Sequence, residues 1–187
     1  LDVLPDGAPT IAPTLTDVQN NGFAGCDFQR DDITKEELLN VRQALHQNGC
    51  SRILLTLITD QWDKLCHRIQ YLYAIVKSSP ELSETFIGWH IEGPFMSPEP
   101  GFHGAHPPEH MLPPTPEKIT TLRKLTGNDP LLLTMAPEWE NISEGIRTAR
   151  NLGAFVWLGH TDAPPNRIEK AIEAGATGFT HLGNGCP

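Results

Sequence analysis

The chain has 187 residues, enough for one domain with a substantial core. Its formal net charge at pH 7 is −9 and its basic residues form no run, which argues against nucleic acid or an anionic membrane surface as a main partner. No segment approaches the roughly 18 consecutive apolar residues of a membrane-spanning helix. The 4 cysteines are widely spaced, which is typical of reduced thiols and predicts a cytoplasmic location.

Short apolar segments alternate with amphipathic ones along most of the chain. Residues 1–14 show little periodicity, and we interpret them as a linker or edge segment. The predicted elements that follow are strand Leu15–Gln19, helix Thr34–Asn48, strand Arg52–Ile58, helix Asp60–Ser78, strand Phe86–Ile91, helix Thr115–Leu125, strand Leu131–Met135, helix Ser143–Leu152, strand Phe155–Leu158, helix Pro165–Ala174 and strand Gly178–Leu182. This alternation predicts an α/β fold with a parallel sheet covered by helices.

Two architectures fit this alternation, a doubly wound sheet and a (β/α)8 TIM-type barrel. No GxGxxG sequence follows the first strand and no phosphate-binding Walker loop is present, so nucleotide-binding folds are less favoured. Polar residues lie at or just after the ends of successive strands, where a barrel would direct them into one mouth. They are Gln19, Asn21, Thr59, Asp60, Glu92, Glu138, His160 and His181. A barrel needs about 250 residues, so we expect residues 15–187 to form a partial catalytic barrel domain with about six of the eight strand–helix units.

The segment 88–106, GWHIEGPFMSPEPGFHGAH, carries the strongest chemical signal. Glu92 ends a predicted buried strand and is followed at once by Gly-Pro, which a helix rarely continues through. In a barrel, Glu92 would converge with His160 and His181 from the fifth and sixth strands. One carboxylate and two imidazoles are a common ligand set for Zn²⁺ or a similar divalent ion. The alternative is that each histidine is a core or capping residue.

Several motifs resemble the N-acetylglucosamine-6-phosphate deacetylases of the amidohydrolase superfamily. They are GWHIEGPF, GAHPP, TMAPE, GHTDA and THLGN, in this order along the chain. The resemblance implies a metal-dependent barrel hydrolase of amino-sugar catabolism that converts N-acetylglucosamine 6-phosphate to glucosamine 6-phosphate and acetate, and it suggests a homodimer. It also implies site residues: the metal ligands are Glu92, His160 and His181, and the substrate contacts are Ala105, His106, Asn184 and Gly185. His106 would polarise the amide carbonyl.

Two features set this chain apart from many amidohydrolases. The position of an HxH pair at the end of the first strand is occupied by Gln19 and Asn21, and amides rarely replace imidazoles as transition-metal ligands. We therefore expect one divalent ion, preferably zinc, with iron, manganese or cobalt as alternatives. The general acid/base aspartate that the resemblance implies is on the eighth strand and lies outside this sequence.

Gly183 replaces the aromatic residue that more often follows the His-Leu pair in the resembled family. Two alternatives to deacetylation of the glucosamine derivative stay open, the first because of this difference and the second because about two strands of a barrel are unaccounted for. The chain could act on another N-acyl substrate, or it could be a catalytically incomplete metal-binding fragment.

Overall fold

A computed structural model describes residues 12–183, in which the strands and helices alternate as the sequence predicts. In chain order the elements are β1 (Leu15–Asn20), β2 (Gly22–Phe23), β3 (Cys26–Asp27), α1 (Lys35–Gln47), β4 (Cys50–Ile58), α2 (Trp62–Lys77), α3 (Pro80–Thr85), β5 (Phe86–Glu92), a 3-10 turn (Pro108–His110), α4 (Pro116–Leu125), β6 (Leu131–Met135), α5 (Ile142–Asn151), β7 (Phe155–Leu158), α6 (Pro165–Ala174) and β8 (Gly178–Phe179). Strands β2 and β3 form a separate antiparallel pair.

The main sheet has six strands in the order β1-β4-β5-β6-β7-β8, and every neighbouring pair is parallel. Each of these strands therefore pairs with the next main-sheet strand along the chain. The sheet curls into a half-barrel, which confirms the predicted α/β class and the six parallel strands. Closure into an eight-stranded barrel stays a prediction.

The two faces of the sheet differ sharply in polarity. Strand residues facing the helices, such as Leu55, Ile91 and Leu133, are fully buried and belong to one core cluster with apolar residues of the helices. Because side chains alternate along a strand, the residues between them point to the inner, concave face. That face carries His90, which lies between Trp89 and Ile91, and Thr134, which lies between Leu133 and Met135. The alternation thus places the apolar core outside, while the inner face carries polar groups such as His90 and Thr134 beside apolar ones such as Leu132.

A buried row of hydrogen bonds crosses the inner face. His90 Nδ1 lies 3.0 Å from the carbonyl oxygen of Val18, which can only accept, so Nδ1 carries a proton and donates. In a neutral imidazole Nε2 then accepts, and it receives the hydroxyl of Thr134 at 2.8 Å. Thr134 Oγ1 in turn lies 2.8 Å from Thr180 Oγ1. Burial lowers the pKa of His90 to about 4, which keeps its imidazole neutral at pH 7.

Local signals explain several element boundaries. Thr34 and Glu37 form a capping box at the start of α1, and α6 ends at Gly175, whose φ of 118° is left-handed. Helix α2 begins at Trp62 rather than at the predicted Asp60. Asp60 follows the end of β4 by two residues, and its carboxylate receives a hydrogen bond from Arg68 in an ion-pair cluster.

The last predicted strand, Gly178–Leu182, is wrong at its C-terminal end. Strand β8 covers only Gly178–Phe179, and His181 lies in the turn that follows. Residues 1–14 were predicted to be a linker or edge segment. Within it, residues 12–14 form no helix or strand, and residues 1–11 lie outside the described residues. Within 12–183, no helix combines the length and the apolar character needed to cross a membrane.

Candidate metal centre

The C-terminal ends of the parallel strands bring one carboxylate and three imidazoles together. Glu92 is the last residue of β5 and is buried. His160 follows β7, His181 follows β8, and His106 comes from the loop between β5 and α4. His160 and His181 have φ values of 52° and 61°, a left-handed conformation that costs a non-glycine residue roughly 1–2 kcal/mol. The fold therefore holds both imidazoles in backbone geometry that a free chain disfavours.

Oxygen Oε1 of Glu92 is the point at which two of the imidazoles meet. His181 Nε2 lies 2.9 Å from this oxygen and His160 Nε2 lies 3.3 Å from it. Glu92, His160 and His181 thus form one possible set of metal ligands. A second possible set is Glu92, His106 and His160, whose ligand atoms all lie within 4.8 Å of one another. The structure thus offers a possible metal site around Glu92, with His160 common to both sets.

Hydrogen bonding of His160 shows how this site suits a cation. Its Nδ1 lies 3.0 Å from the carbonyl oxygen of Phe102, so Nδ1 carries the proton and donates. In the neutral imidazole the Nε2 lone pair then faces a carboxylate oxygen of Glu92. Two lone pairs at this separation need a proton or a metal ion between them. Ligand atoms on a tetrahedral zinc ion with bonds of about 2.0–2.1 Å lie roughly 3.3 Å apart. The separation of 3.3 Å between His160 and Glu92 equals this value, and the separation of 2.9 Å between His181 and Glu92 is shorter.

The charges of this cluster are strongly coupled. Burial alone would raise the pKa of the Glu92 carboxyl, but a hydrogen bond from His160, which Nε2 donates only when the ring is an imidazolium, and the charges of the surrounding imidazoles lower it to about 2. Burial and the neighbouring His160 lower the pKa of His106 to about 4. At neutral pH the centre therefore combines an ionised carboxylate with a neutral His106, and the carboxylate attracts a cation.

His106 is buried and its ring is tightly held, whereas the neighbouring Ala105 is exposed. Nδ1 of His106 receives the main-chain N–H of Thr59 at 3.3 Å and lies 3.0 Å from Thr59 Oγ1. The His106 and His160 rings contact each other edge to face, with centroids 4.6 Å apart. The predicted substrate contacts Asn184 and Gly185 lie outside the described residues.

The other polar residues at the strand ends have identifiable roles. Glu138 accepts hydrogen bonds from the Thr161 hydroxyl at 2.7 Å and from the Asp162 main-chain N–H at 2.6 Å, so it fixes the loop that follows His160. Gln19 Nε2 lies 3.5 Å from His181 Nε2, at the edge of the cluster. The amide side chain of Gln19 is therefore near the centre, as the strand-end pattern predicts.

A cavity of about 530 Å³ opens beside the histidines. Its walls include Phe102, His160, Thr161, Asp162 and His181, together with small residues of the same loops. No lysine or arginine of the described chain lines this cavity. Its polar groups and its volume suit a small polar ligand, but the charge of an anionic ligand is not neutralised by the described walls.

Three groups at the centre or in the buried row of hydrogen bonds carried no assigned role in the sequence. Thr59 was visible only as a polar residue after a strand, and its contact with His106 joins positions 47 residues apart. The carbonyl of Phe102 fixes the tautomer of His160, but a main-chain group leaves no trace in residue identity. Thr134 offered a faint signal, because a hydroxyl in the apolar run LLLTM indicates a buried polar contact.

Together these features define a half-barrel of parallel strands with a candidate divalent-metal centre at the C-terminal strand ends. No protein-family model matches the chain. Among proteins of assigned function, N-acetylgalactosamine-6-phosphate deacetylase of Shewanella sp. (strain ANA-3) is 36% identical over 181 residues, covering 94% of this chain and 43% of that protein. N-acetylglucosamine-6-phosphate deacetylase of Bos taurus is 32% identical over 182 residues, covering 95% and 43%.

Solved structures show the same relationship. N-acetyl-D-glucosamine-6-phosphate deacetylase from Mycobacterium smegmatis superposes with a TM-score of 0.80 at 28% identity, over 96% of this chain and 48% of that one. A mutant of the M. smegmatis enzyme, solved in complex with N-acetyl-D-glucosamine-6-phosphate, gives a TM-score of 0.78 at the same coverage. The chain is thus homologous to the N-acetylglucosamine-6-phosphate deacetylases, which confirms the resemblance, and it spans less than half the length of the relatives described.

Proposed function

We propose that this chain carries the metal-binding half of a sugar-phosphate deacetylase that hydrolyses N-acetylglucosamine 6-phosphate to glucosamine 6-phosphate and acetate. The observation that carries the proposal is the convergence of two imidazole Nε2 atoms on one carboxylate oxygen of Glu92. The motifs around these residues resemble those of the deacetylases, and a mutant of one such enzyme was solved in complex with N-acetyl-D-glucosamine-6-phosphate. In this proposal the six strands are part of a (β/α)8 barrel, and the enzyme acts in amino-sugar catabolism.

We assign the metal ligands as Glu92, His160 and His181, and we propose a single ion, Zn²⁺ in preference to Fe²⁺, Mn²⁺ or Co²⁺. When bound, the ion supplies a Lewis acid that lowers the pKa of water and polarises a carbonyl. Glu92 brings the negative charge that offsets part of the charge of the cation. The imidazole of His160 is oriented by Phe102, which leaves its Nε2 free to ligate.

We place His106 beside the acyl group, where its ring can polarise the amide carbonyl as a hydrogen-bond donor. Ala105, Asn184 and Gly185 stay predicted substrate contacts, and the general acid/base aspartate is expected outside these 187 residues. Because no lysine or arginine lines the described cavity, the phosphate needs cations from elsewhere. The free thiols of Cys26, Cys50 and Cys66 support the predicted cytoplasmic location. A homodimer stays a prediction that sedimentation can test.

Zinc binding by the metal-free protein tests the proposed ligand set. We expect one zinc ion per chain in calorimetric titration, and we expect His160→Asn to abolish this binding. Asparagine tolerates the left-handed backbone of residue 160, so the variant should fold. The matched control is His67→Asn, because His67 is exposed on α2 and outside the ligand cluster. Equal zinc binding by His160→Asn and the control would contradict the assignment.

Acetate release tests the reaction itself. We expect zinc-loaded protein to release acetate from N-acetylglucosamine 6-phosphate, once the polypeptide that supplies the aspartate is present. Zinc binding without turnover by the 187-residue chain would support the alternative of a catalytically incomplete metal-binding fragment. Turnover that did not respond to His160→Asn would contradict the site.

A second substrate is favoured by one specific observation. The Shewanella relative at 36% identity is an N-acetylgalactosamine-6-phosphate deacetylase. The two sugar phosphates are epimers at a single ring hydroxyl, and the acyl group and phosphate are the same. Comparing kcat/KM for the two epimers decides between them, because a hydroxyl that meets a matching polar group changes specificity far more than one that meets an apolar wall.

A further inference from the structure

Thr59 contacts the Nδ1 atom of His106 through two of its own polar groups, the main-chain N–H and the side-chain hydroxyl. Its main-chain N–H reaches this nitrogen at 3.3 Å, and its hydroxyl oxygen lies 3.0 Å away. Both residues are buried, with 2% of Thr59 and 5% of His106 exposed, so water does not compete for these contacts. The pair links the end of β4 to the loop between β5 and α4.

The main-chain N–H of Thr59 determines where the proton of His106 resides. A backbone N–H can only donate, so the nitrogen that it meets must present a lone pair. Nδ1 of His106 is therefore unprotonated, and the proton of the neutral ring lies on Nε2. His160 shows the opposite arrangement, because its Nδ1 faces the carbonyl oxygen of Phe102 and its Nε2 keeps the lone pair.

We infer that Thr59 is a positioning residue that holds His106 in the Nε2–H tautomer, so that His106 is a hydrogen-bond donor and not a metal ligand. A nitrogen that carries a proton has no lone pair for a metal ion. Of the two overlapping sets around Glu92, this selects the one with His181 over the one with His106. The inference rests on the proposed function only in naming the acceptor, which would be the carbonyl oxygen of an amide substrate.

Gly93 leaves the room that this arrangement needs. It directly follows Glu92 and has a φ of 106°, which side chains rarely adopt. A Cβ atom built on Gly93 would overlap with the hydroxyl oxygen of Thr59. The Glu-Gly pair thus serves two neighbouring sites, since Glu92 contributes the carboxylate while Gly93 admits the residue that orients His106.

Nitrogen NMR reads the tautomer directly. The 187-residue protein is labelled with ¹⁵N-histidine, and long-range ¹H–¹⁵N correlations are recorded before and after addition of zinc. Signals are assigned with His106→Gln and His160→Gln. We expect His106 to show a protonated Nε2 in both states, and His160 to show a protonated Nδ1 and an Nε2 signal that shifts on zinc addition. A protonated Nδ1 in His106, or a zinc-induced shift of its Nε2 like that of His160, would overturn the inference.

Two variants separate the groups of Thr59. Thr59→Val keeps the N–H and the side-chain shape, and we expect it to retain the tautomer. Thr59→Pro removes the N–H, and Ile58 before it is already extended, as proline requires. We expect this variant to lose the tautomer preference, and an unchanged Nε2–H signal in a folded Thr59→Pro protein would contradict the role of the N–H.

The tautomer of His106 can be tested separately from the proposed metal ligands. If Thr59→Pro does not fold, the wild-type spectrum and the zinc titration still decide, because they test the tautomer without any substitution at residue 59. Absence of zinc shifts at His160 would contradict the proposed metal ligands while leaving the tautomer of His106 unaffected. The two ideas can therefore fail separately.

Discussion

The substitution Thr134→Val tests the buried row of hydrogen bonds on the inner face of the sheet. Threonine and valine have nearly the same shape, so the change removes a hydroxyl without opening a cavity. In the structure this hydroxyl donates to Nε2 of His90 at 2.8 Å and contacts Thr180 Oγ1 at 2.8 Å. Thr134 and His90 are both fully buried, and Thr180 is 3% exposed. Water therefore cannot replace the lost partner.

The expected cost follows from what the variant leaves behind. His90 Nε2 loses its donor and the Thr180 hydroxyl loses its acceptor, and a buried polar group without a partner costs about 1–3 kcal/mol. Since the Thr180 hydroxyl can rotate, we expect the free energy of unfolding to fall by about 2–3 kcal/mol. Urea denaturation followed by circular dichroism measures this change.

The matched control is Thr121→Val on α4. The Thr121 hydroxyl bonds the carbonyl oxygen of Glu117 in its own helix, in an exposed position, so the same chemical change should stay within about 0.5 kcal/mol. A loss of less than about 1 kcal/mol for Thr134→Val, with an unchanged dependence on urea, would refute the hydrogen-bond assignment. An equal loss in both variants would show that the effect does not come from the buried row.

Three further predictions follow from the core and the loops. Burial holds the pKa of His90 near 4, below its unfolded value of about 6.5, so the unfolded chain takes up the proton first as pH falls. The free energy of unfolding of the chelator-treated protein should therefore fall as pH drops from about 6.5 toward 4. A flat pH profile, or an unchanged slope in His90→Gln, would contradict this prediction. Gly93→Ala should destabilise the protein by about 2 kcal/mol or more through its positive φ and the overlap with Thr59, and a thermal melt like that of the wild type would argue against it. Arg68→Met should lower the free energy of unfolding by about 1–3 kcal/mol, because the Arg68 side chain, only 1% exposed, makes charged hydrogen bonds to Asp31 that the variant loses. The Asp31 carboxylate is left accessible to water, which limits the cost. Urea denaturation measures the change, and an unchanged midpoint would contradict the prediction.

The long elements could be predicted because their apolar residues repeat with a clear period. Strand β6 and strand β7 have the predicted bounds, and helix α6 matches because proline and glycine mark its two ends. Helix α3 and the β2–β3 hairpin were missed, since α3 is shorter than two helical turns and each hairpin strand has only 2 residues, so neither shows a repeating apolar pattern. Ser79 and Pro80, as cap and first residue of α3, were the available signal.

The residues of the candidate centre could be located from sequence, but the hydrogen bonds that orient their rings could not be predicted. Glu92, His160 and His181 were recognisable because each follows a strand, and parallel strands of a barrel end at one mouth. Which nitrogen of each ring carries the proton depends on main-chain groups of Thr59 and Phe102, far away along the chain. Such contacts depend on loop conformation, which residue identity alone does not specify.

The sequential order of the sheet has a consequence for folding. Because β1-β4-β5-β6-β7-β8 follows chain order, each strand can dock on the one already formed, so the sheet can grow unit by unit with short loop closures. The two terminal strands of the described sheet differ from the rest, since each has a single main-sheet neighbour. Glu92 is on β5, which has neighbours on both sides, whereas His181 follows terminal strand β8, and 41% of its side chain is exposed. The candidate centre therefore depends on a late step of this growth, because His181 can reach Glu92 only after β8 has docked on β7.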